Sequence, residues 1–141
     1  MNRTPRPSSP SWTGAAAPSL DDFAELAEAA FSGLPARFRS LAGAVMFRIE
    51  DFAEAEILDE MGIEDAFELT GLYQGVDLAH RSVLDPSPQQ AMVFLYRRPI
   101  LDEWSERGDV SLGALITHVL VHEIGHHFGL SDADIDAIEA A

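Results

Sequence analysis

The segment His122-Glu123-Ile124-Gly125-His126-His127-Phe128-Gly129-Leu130-Ser131-Asp132 gathers the residue types that bind and use a divalent metal ion. It opens with H-E-x-x-H and continues as H-x-x-G-x-x-D. On an α-helix, two histidines four residues apart lie about 40° from each other and one turn up, so both imidazoles reach one ion. Glu123 stands beside the first histidine, where its carboxylate can touch a water on that ion without binding the ion itself. Gly129 offers the helix a place to stop and the chain a place to reverse, which brings Asp132 back toward the same point. His122, His126 and Asp132 are therefore the candidate metal ligands, and Glu123 is the candidate catalytic base.

The chain holds no cysteine, which excludes disulfides and thiolate metal sites. Imidazole and carboxylate suit zinc, whose tetrahedral geometry leaves a fourth position for water. Such a water ionises near neutral pH. Glu123 would take its proton as it attacks a peptide carbonyl, then pass the proton to the leaving amine. Glu139 is a rival third ligand, far along a short helix. His118, one turn before His122 on the same face, suits the rim of the site better than the ion itself. His127 points about 100° away from His126 and belongs to another role. His80, in a loop with no partner in view, reads as solvent-exposed. Tyr73 and Tyr96 are candidate hydrogen-bond donors to an oxyanion, although strand tyrosines more often only face a sheet.

Elements must carry these groups. The stretch 111–128 is apolar nearly all round, through Leu112, Leu115, Ile116, Val119, Leu120, Val121, Ile124 and Phe128, and predicts a helix buried inside the domain. His122, Glu123 and His126 then sit in a low-dielectric setting, where unpaired polar groups are costly and a metal ion relieves them. Upstream, Ser19 with Asp22 forms a capping box before a helical stripe of Phe23, Leu26, Ala27, Ala30 and Phe31. Gly33-Leu34-Pro35 closes that helix, and Pro35 opens a short turn through Phe38 and Leu41. Val45, Phe47 and Ile49 alternate as one face of a strand. Ile57, Leu58 and Met61 suggest a short helix stopped by Gly62. Residues 69–74 are a short strand, 75–90 turn and loop, and Ala91-Met92-Val93-Phe94-Leu95-Tyr96 an apolar strand. Pro99 begins a helix that Gly108 ends. Ser131 with Asp134 caps a last helix from Asp132. The pattern is α+β: a small sheet with helices mainly on one face.

At 141 residues the chain is one ordinary domain with room for a real core. Residues 1–18, rich in Pro, Ser and small side chains, read as a disordered tail, and 19–141 as the domain. The net charge of −15 sets 24 acidic residues against nine basic ones, all of them arginine. So acidic a chain repels nucleic acid and anionic lipid. No apolar run approaches the roughly 20 residues that span a bilayer, and no signal peptide is evident. A cytoplasmic protein is the expectation, without membrane or nucleic-acid partners.

The segments Leu72-Tyr73-Gln74-Gly75-Val76-Asp77-Leu78, Val93-Phe94-Leu95-Tyr96-Arg97-Arg98-Pro99-Ile100-Leu101 and His118 through Asp132 resemble the small bacterial zincin-like metallopeptidases, which have a minimal matrix-metalloprotease-like domain. Asp22-Phe23 and Leu34-Pro35-Ala36-Arg37-Phe38 resemble that family's opening helix and its Leu-Pro turn. The resemblance implies a zincin-like α+β fold with a small mixed sheet packed on the active-site helix. It implies zinc on His122 and His126, Glu123 as base, and a peptide or unfolded-protein substrate. The glycine and aspartate also match the extended motif of some metzincins. Metzincins carry a methionine turn beyond the third ligand, and no methionine follows Asp132. The floor of the site is then built differently, or by another chain. In zincins extended substrate adds to an edge strand. Ala91 to Tyr96 is the candidate edge, although a run so apolar also suits the centre of a sheet. The alternative to a peptidase is a non-catalytic zinc-binding module, or an interaction module using the acidic run 50–68. A purely structural zinc site needs four protein ligands and no base, so Glu123 argues for turnover.

Overall fold

Ser19 accepts a hydrogen bond from the Asp22 amide at 3.1 Å, and Asp22 accepts one from the Ser19 amide at 2.8 Å. This reciprocal cap starts helix α1 (Leu20–Ser32). The computed structural model describes residues 12–74 and 91–140. The first eleven residues of the expected tail, the loop expected over 75–90 and His80 lie outside them. Trp12–Gly14 form one 3-10 turn, and Trp12 is exposed.

Pro35 caps the short helix α2 (Ala36–Ala42). Strand β1 (Val45–Glu50) follows, with Val45, Phe47 and Ile49 half-buried between exposed Met46 and Arg48, the alternation seen in the residues themselves. Helix α3 (Ala55–Met61) ends on Gly62, whose φ of 69° is a left-handed cap that glycine adopts without strain. A 3-10 turn (Ala66–Glu68) leads into β2 (Gly71–Gln74). Strand β3 (Ala91–Tyr96) runs without a break into α4 (Arg97–Arg107). The helix expected to open at Pro99 thus starts two residues earlier, and Pro99 falls in the first turn, where its missing N–H costs nothing. Helices α5 (Leu112–His127) and α6 (Asp132–Glu139) complete the chain. Among the described residues no helix is long and apolar enough to cross a membrane.

The three strands lie in the order β1-β3-β2, with β1 parallel and β2 antiparallel to β3. The sheet is mixed, and β3 is its centre, which corrects the reading of Ala91 to Tyr96 as an edge. Its burial explains the unbroken apolar run: Ala91, Val93 and Leu95 enter the core, while Tyr96 turns to the opposite face with Ala53 and Leu69.

The main core lies between the sheet and α1, α5 and α6. Phe23 and Ala27 of α1, Leu115, Ile116, Leu120 and Ile124 of α5, and Ile135 of α6 belong to it. Among the described residues the second face carries the smaller cluster under α3. This is the expected α+β architecture, with helices mainly on one side. Arg97 ties two distant corners together. Its Nε donates to the Pro18 carbonyl at 2.6 Å, and one of its terminal nitrogens lies 3.1 Å from Asp51 Oδ1.

Candidate metal centre

Helix α5 is held in place by what surrounds it. Ser111 caps it through the Ala114 amide, and eight of its residues, Leu112 to Gly125, are buried. Gly71 of β2 lets the sheet come down onto it. A Cβ at that position would stand 2.8 Å from Val119 Cγ1, 3.2 Å from the Phe94 carbonyl and 3.4 Å from Glu123 Cγ. Glu123 is thereby pressed beneath β2. Burial raises its pKa above the ordinary carboxylate value, and His126 pulls it back only in part.

The helix ends where the motif suggested. The Phe128 amide bonds to the Ile124 carbonyl, Gly129 adopts a φ of 74°, and the Leu130 amide reaches the Gly125 carbonyl at 2.9 Å. Ser131 and Asp134 then form the second capping box, starting α6. Helix α6 folds back along α5. Its first residue, Asp132, meets His126, Ile135 packs where Gly125 leaves space, and Glu139 meets His118 and His122. The two helices run antiparallel, with a row of three histidines on one and a carboxylate at each end of the other.

The distances divide this row into two halves. His126 Nε2 lies 3.4 Å from Asp132 Oδ1, both side chains being largely exposed. His118 Nδ1 lies 2.8 Å from Glu139 Oε1, and His122 Nε2 lies 3.9 Å from the same oxygen. The imidazole centroids of His118 and His122 are 4.0 Å apart, and those of His122 and His126 are 5.5 Å apart. Among the described residues, His118, His122 and Glu139 are the trio whose ligand atoms all lie within 4.8 Å of one another. His122, His126 and Asp132 are neighbours along the row but are not gathered so closely.

His122 is the electrostatic hinge of the row. Burial, and after it the His118 imidazole, hold its pKa below the ordinary histidine value, against the opposing influence of Glu139. Its Nε2 is shielded from solvent and has no hydrogen-bond partner among the described residues. A buried polar nitrogen normally finds a partner. An imidazole lone pair beside further imidazoles and carboxylates, in a chain without cysteine, is a donor set that fits zinc.

The remaining candidates separate. Tyr73 on β2 packs its ring 4.3 Å from that of His127 and 5.8 Å from that of Phe128, so His127 serves the β2–α5 seam. Tyr96 is fully buried, its hydroxyl has no partner among the described residues, and its pKa is pushed up to about 12, first by burial and then by Glu50, Glu54 and Glu123. Residue types and spacing missed the weight of Glu139. The signal was present in the i, i+4, i+7 recurrence of Asp132, Asp136 and Glu139, but which of these faces α5 is set by the Gly129 turn.

A small α+β domain whose buried helix carries H-E-x-x-H beneath a short mixed sheet has the form of a zincin. Residues 42–141 match a family model described as zincin-like metallopeptidase, and the chain belongs to that family. No curated protein matches the chain.

Proposed function

We propose that this chain is a zinc-dependent peptidase in which His122, His126 and Asp132 hold the metal ion and Glu123 is the general base. The observation that carries the reading is the setting of α5. His122 Nε2 is shielded and without a hydrogen-bond partner among the described residues, the adjacent Glu123 lies under β2 with its pKa raised by burial, and a second imidazole stands one turn on. Family membership supports the same class of chemistry.

A zinc ion held there supplies a Lewis acid that polarises a peptide carbonyl and acidifies water. The chain supplies the rest. Glu123, desolvated and oriented by the close approach of Gly71, accepts the proton of the attacking water and returns it to the departing amine nitrogen. Its poor hydration favours the protonated form after the first transfer, so the proton is held for the second. Asp132, fixed at the first turn of α6, faces His126 at 3.4 Å and adds negative charge that suits a dication.

Substrate is an extended peptide or an unfolded segment. Among the described residues β2 is hydrogen-bonded only to β3, and it lies over α5 beside Glu123. Its side away from β3 would offer main-chain donors and acceptors to a peptide strand.

Glu123→Gln tests the proposal. It keeps the shape of the side chain and removes its basicity. Zinc is expected to stay bound at one equivalent, with hydrolysis of an unstructured casein-type substrate falling by about 10²–10⁴-fold. Equal activity in both proteins refutes the role of Glu123, and an absence of zinc from the wild type refutes the whole reading.

A further inference from the structure

The row His118, His122, His126 repeats the same i, i+4 spacing twice, and His122 belongs to both repeats. Each repeat has its own carboxylate on α6: Asp132 faces His126, and Glu139 faces His118 and His122. The second set is the better gathered of the two, with all three ligand atoms within 4.8 Å. It is also the better sheltered. The His118, His122 and Glu139 side chains are 38%, 28% and 26% exposed, against 56% and 85% for His126 and Asp132.

We infer that His118, His122 and Glu139 form an alternative binding position for a divalent transition-metal ion, one helical turn from the His122/His126 position and exclusive of it. The inference rests on the reading of α5 as a metal-binding helix and extends it to a second ligand set. Exclusivity follows from His122. Its Nε2 is shielded from solvent and lies 3.9 Å from Glu139 Oε1, and one lone pair binds one ion. The set of two imidazoles and one carboxylate is chemically suited to zinc and to cobalt(II), and poorly suited to magnesium or calcium, which prefer all-oxygen ligands. An ion there is displaced by one turn from the Glu123 side of the helix and ties the last turn of α6 to the middle of α5. The chain then has a productive position and a resting position for a single ion.

Zinc affinity is measured by competition with a chromophoric chelator, and cobalt(II) absorption reports the coordination geometry. The proteins are the wild type, His126→Ala and His126→Ala/Glu139→Ala, with circular dichroism as the check on folding. The wild type is expected to bind one equivalent. His126→Ala is expected to bind one equivalent still, more weakly and with a shifted cobalt band, and the double variant to lose it. If His126→Ala binds nothing while the wild type binds one ion, the alternative position is overturned and the His122/His126 site stands. If the wild type binds none, both readings fall. If it binds two, the sharing of His122 is wrong. Should His126→Ala fail to fold, nitrogen NMR of histidine-labelled wild type decides. The His118 ring resonances are expected to move as zinc is added, and resonances that stay still overturn the inference.

Discussion

Glu123 lies against Gly71 under the sheet, and desolvation favours its protonated form. The consequence for stability has a definite sign. A carboxyl group whose pKa is higher in the folded chain than in the unfolded one contributes stability that is fully present below the unfolded value, and that contribution is lost as pH rises through the folded value. At neutral pH, above the unfolded value, the desolvated carboxyl group of Glu123 is therefore a burden in the metal-free protein. Glu123→Gln is expected to raise the Tm of the chelator-treated protein at pH 7, and the gain should vanish below the ordinary carboxylate range. Thermal melts at the two pH values check this, and an equal gain at both would point to packing instead. Tyr96 makes a comparable case without titration, since its pKa of about 12 keeps it neutral throughout. Its buried hydroxyl has no partner among the described residues, so Tyr96→Phe is expected to stabilise the protein by about 1 kcal/mol. A loss of that size in urea titration would mean that the hydroxyl has a partner.

The elements that position the site depend on two close approaches. At Gly71 a methyl group would meet Val119 Cγ1 at 2.8 Å and the Phe94 carbonyl at 3.2 Å, and neither a β-branched side chain nor sheet backbone can move aside easily. Gly71→Ala is expected to destabilise the fold by about 1–3 kcal/mol and to lower peptidase activity, because β2 must lift off α5. At Gly125 the obstructing atoms are Cγ1 and Cδ1 of Ile135, at 2.9 Å and 3.0 Å. Ile135 is likewise β-branched and fully buried, so Gly125→Ala is expected to be destabilising too, as paired urea denaturation curves would show. Local order of this kind was partly legible in the residues. Both capping boxes, the alternation of Val45, Phe47 and Ile49, and the glycine stops at Gly62 and Gly108 depend on neighbours within a few positions, and they stand where the residue types put them. The neighbours of β3 were not legible in this way. An apolar run reports that both faces are covered, but not which strands flank it, and pairing Ala91 to Tyr96 with β1 and β2 is a long-range outcome. The same holds for the site. His122, Glu123 and His126 follow from helical spacing alone. The convergence of Glu139 on His118 depends on the sharp reversal at Gly129 and on Ile135 seating against Gly125.

At the scale of the molecule, two electrostatic facts compete. The chain carries a net charge of −15, so its folded form is under self-repulsion, and the histidine row faces a carboxylate at each end of α6, Asp132 at His126 and Glu139 at His118. Either an added monovalent salt or a bound dication therefore stabilises the fold, but by different routes. Salt screens the exposed charges within about 10 Å at 0.1 M, and its effect should rise smoothly with ionic strength and be the same for sodium and potassium chloride. On the proposed reading zinc acts by linkage, binding the assembled ligand row of the folded chain and finding none in the unfolded one. At a free concentration a hundred times its Kd it adds about 2.7 kcal/mol. The Tm of the chelator-treated protein is thus expected to climb modestly with sodium chloride and steeply with micromolar zinc, and to return to its starting value when chelator is restored. Magnesium at equal ionic strength should behave as salt, since hard, oxygen-seeking ions gain little from imidazole. His122→Ala removes the nitrogen common to both ligand sets, so it is expected to abolish the zinc increment and leave the salt increment intact. A zinc increment that survived His122→Ala would locate the stabilising ion among the surface carboxylates and separate it from the helix that the sequence marks out.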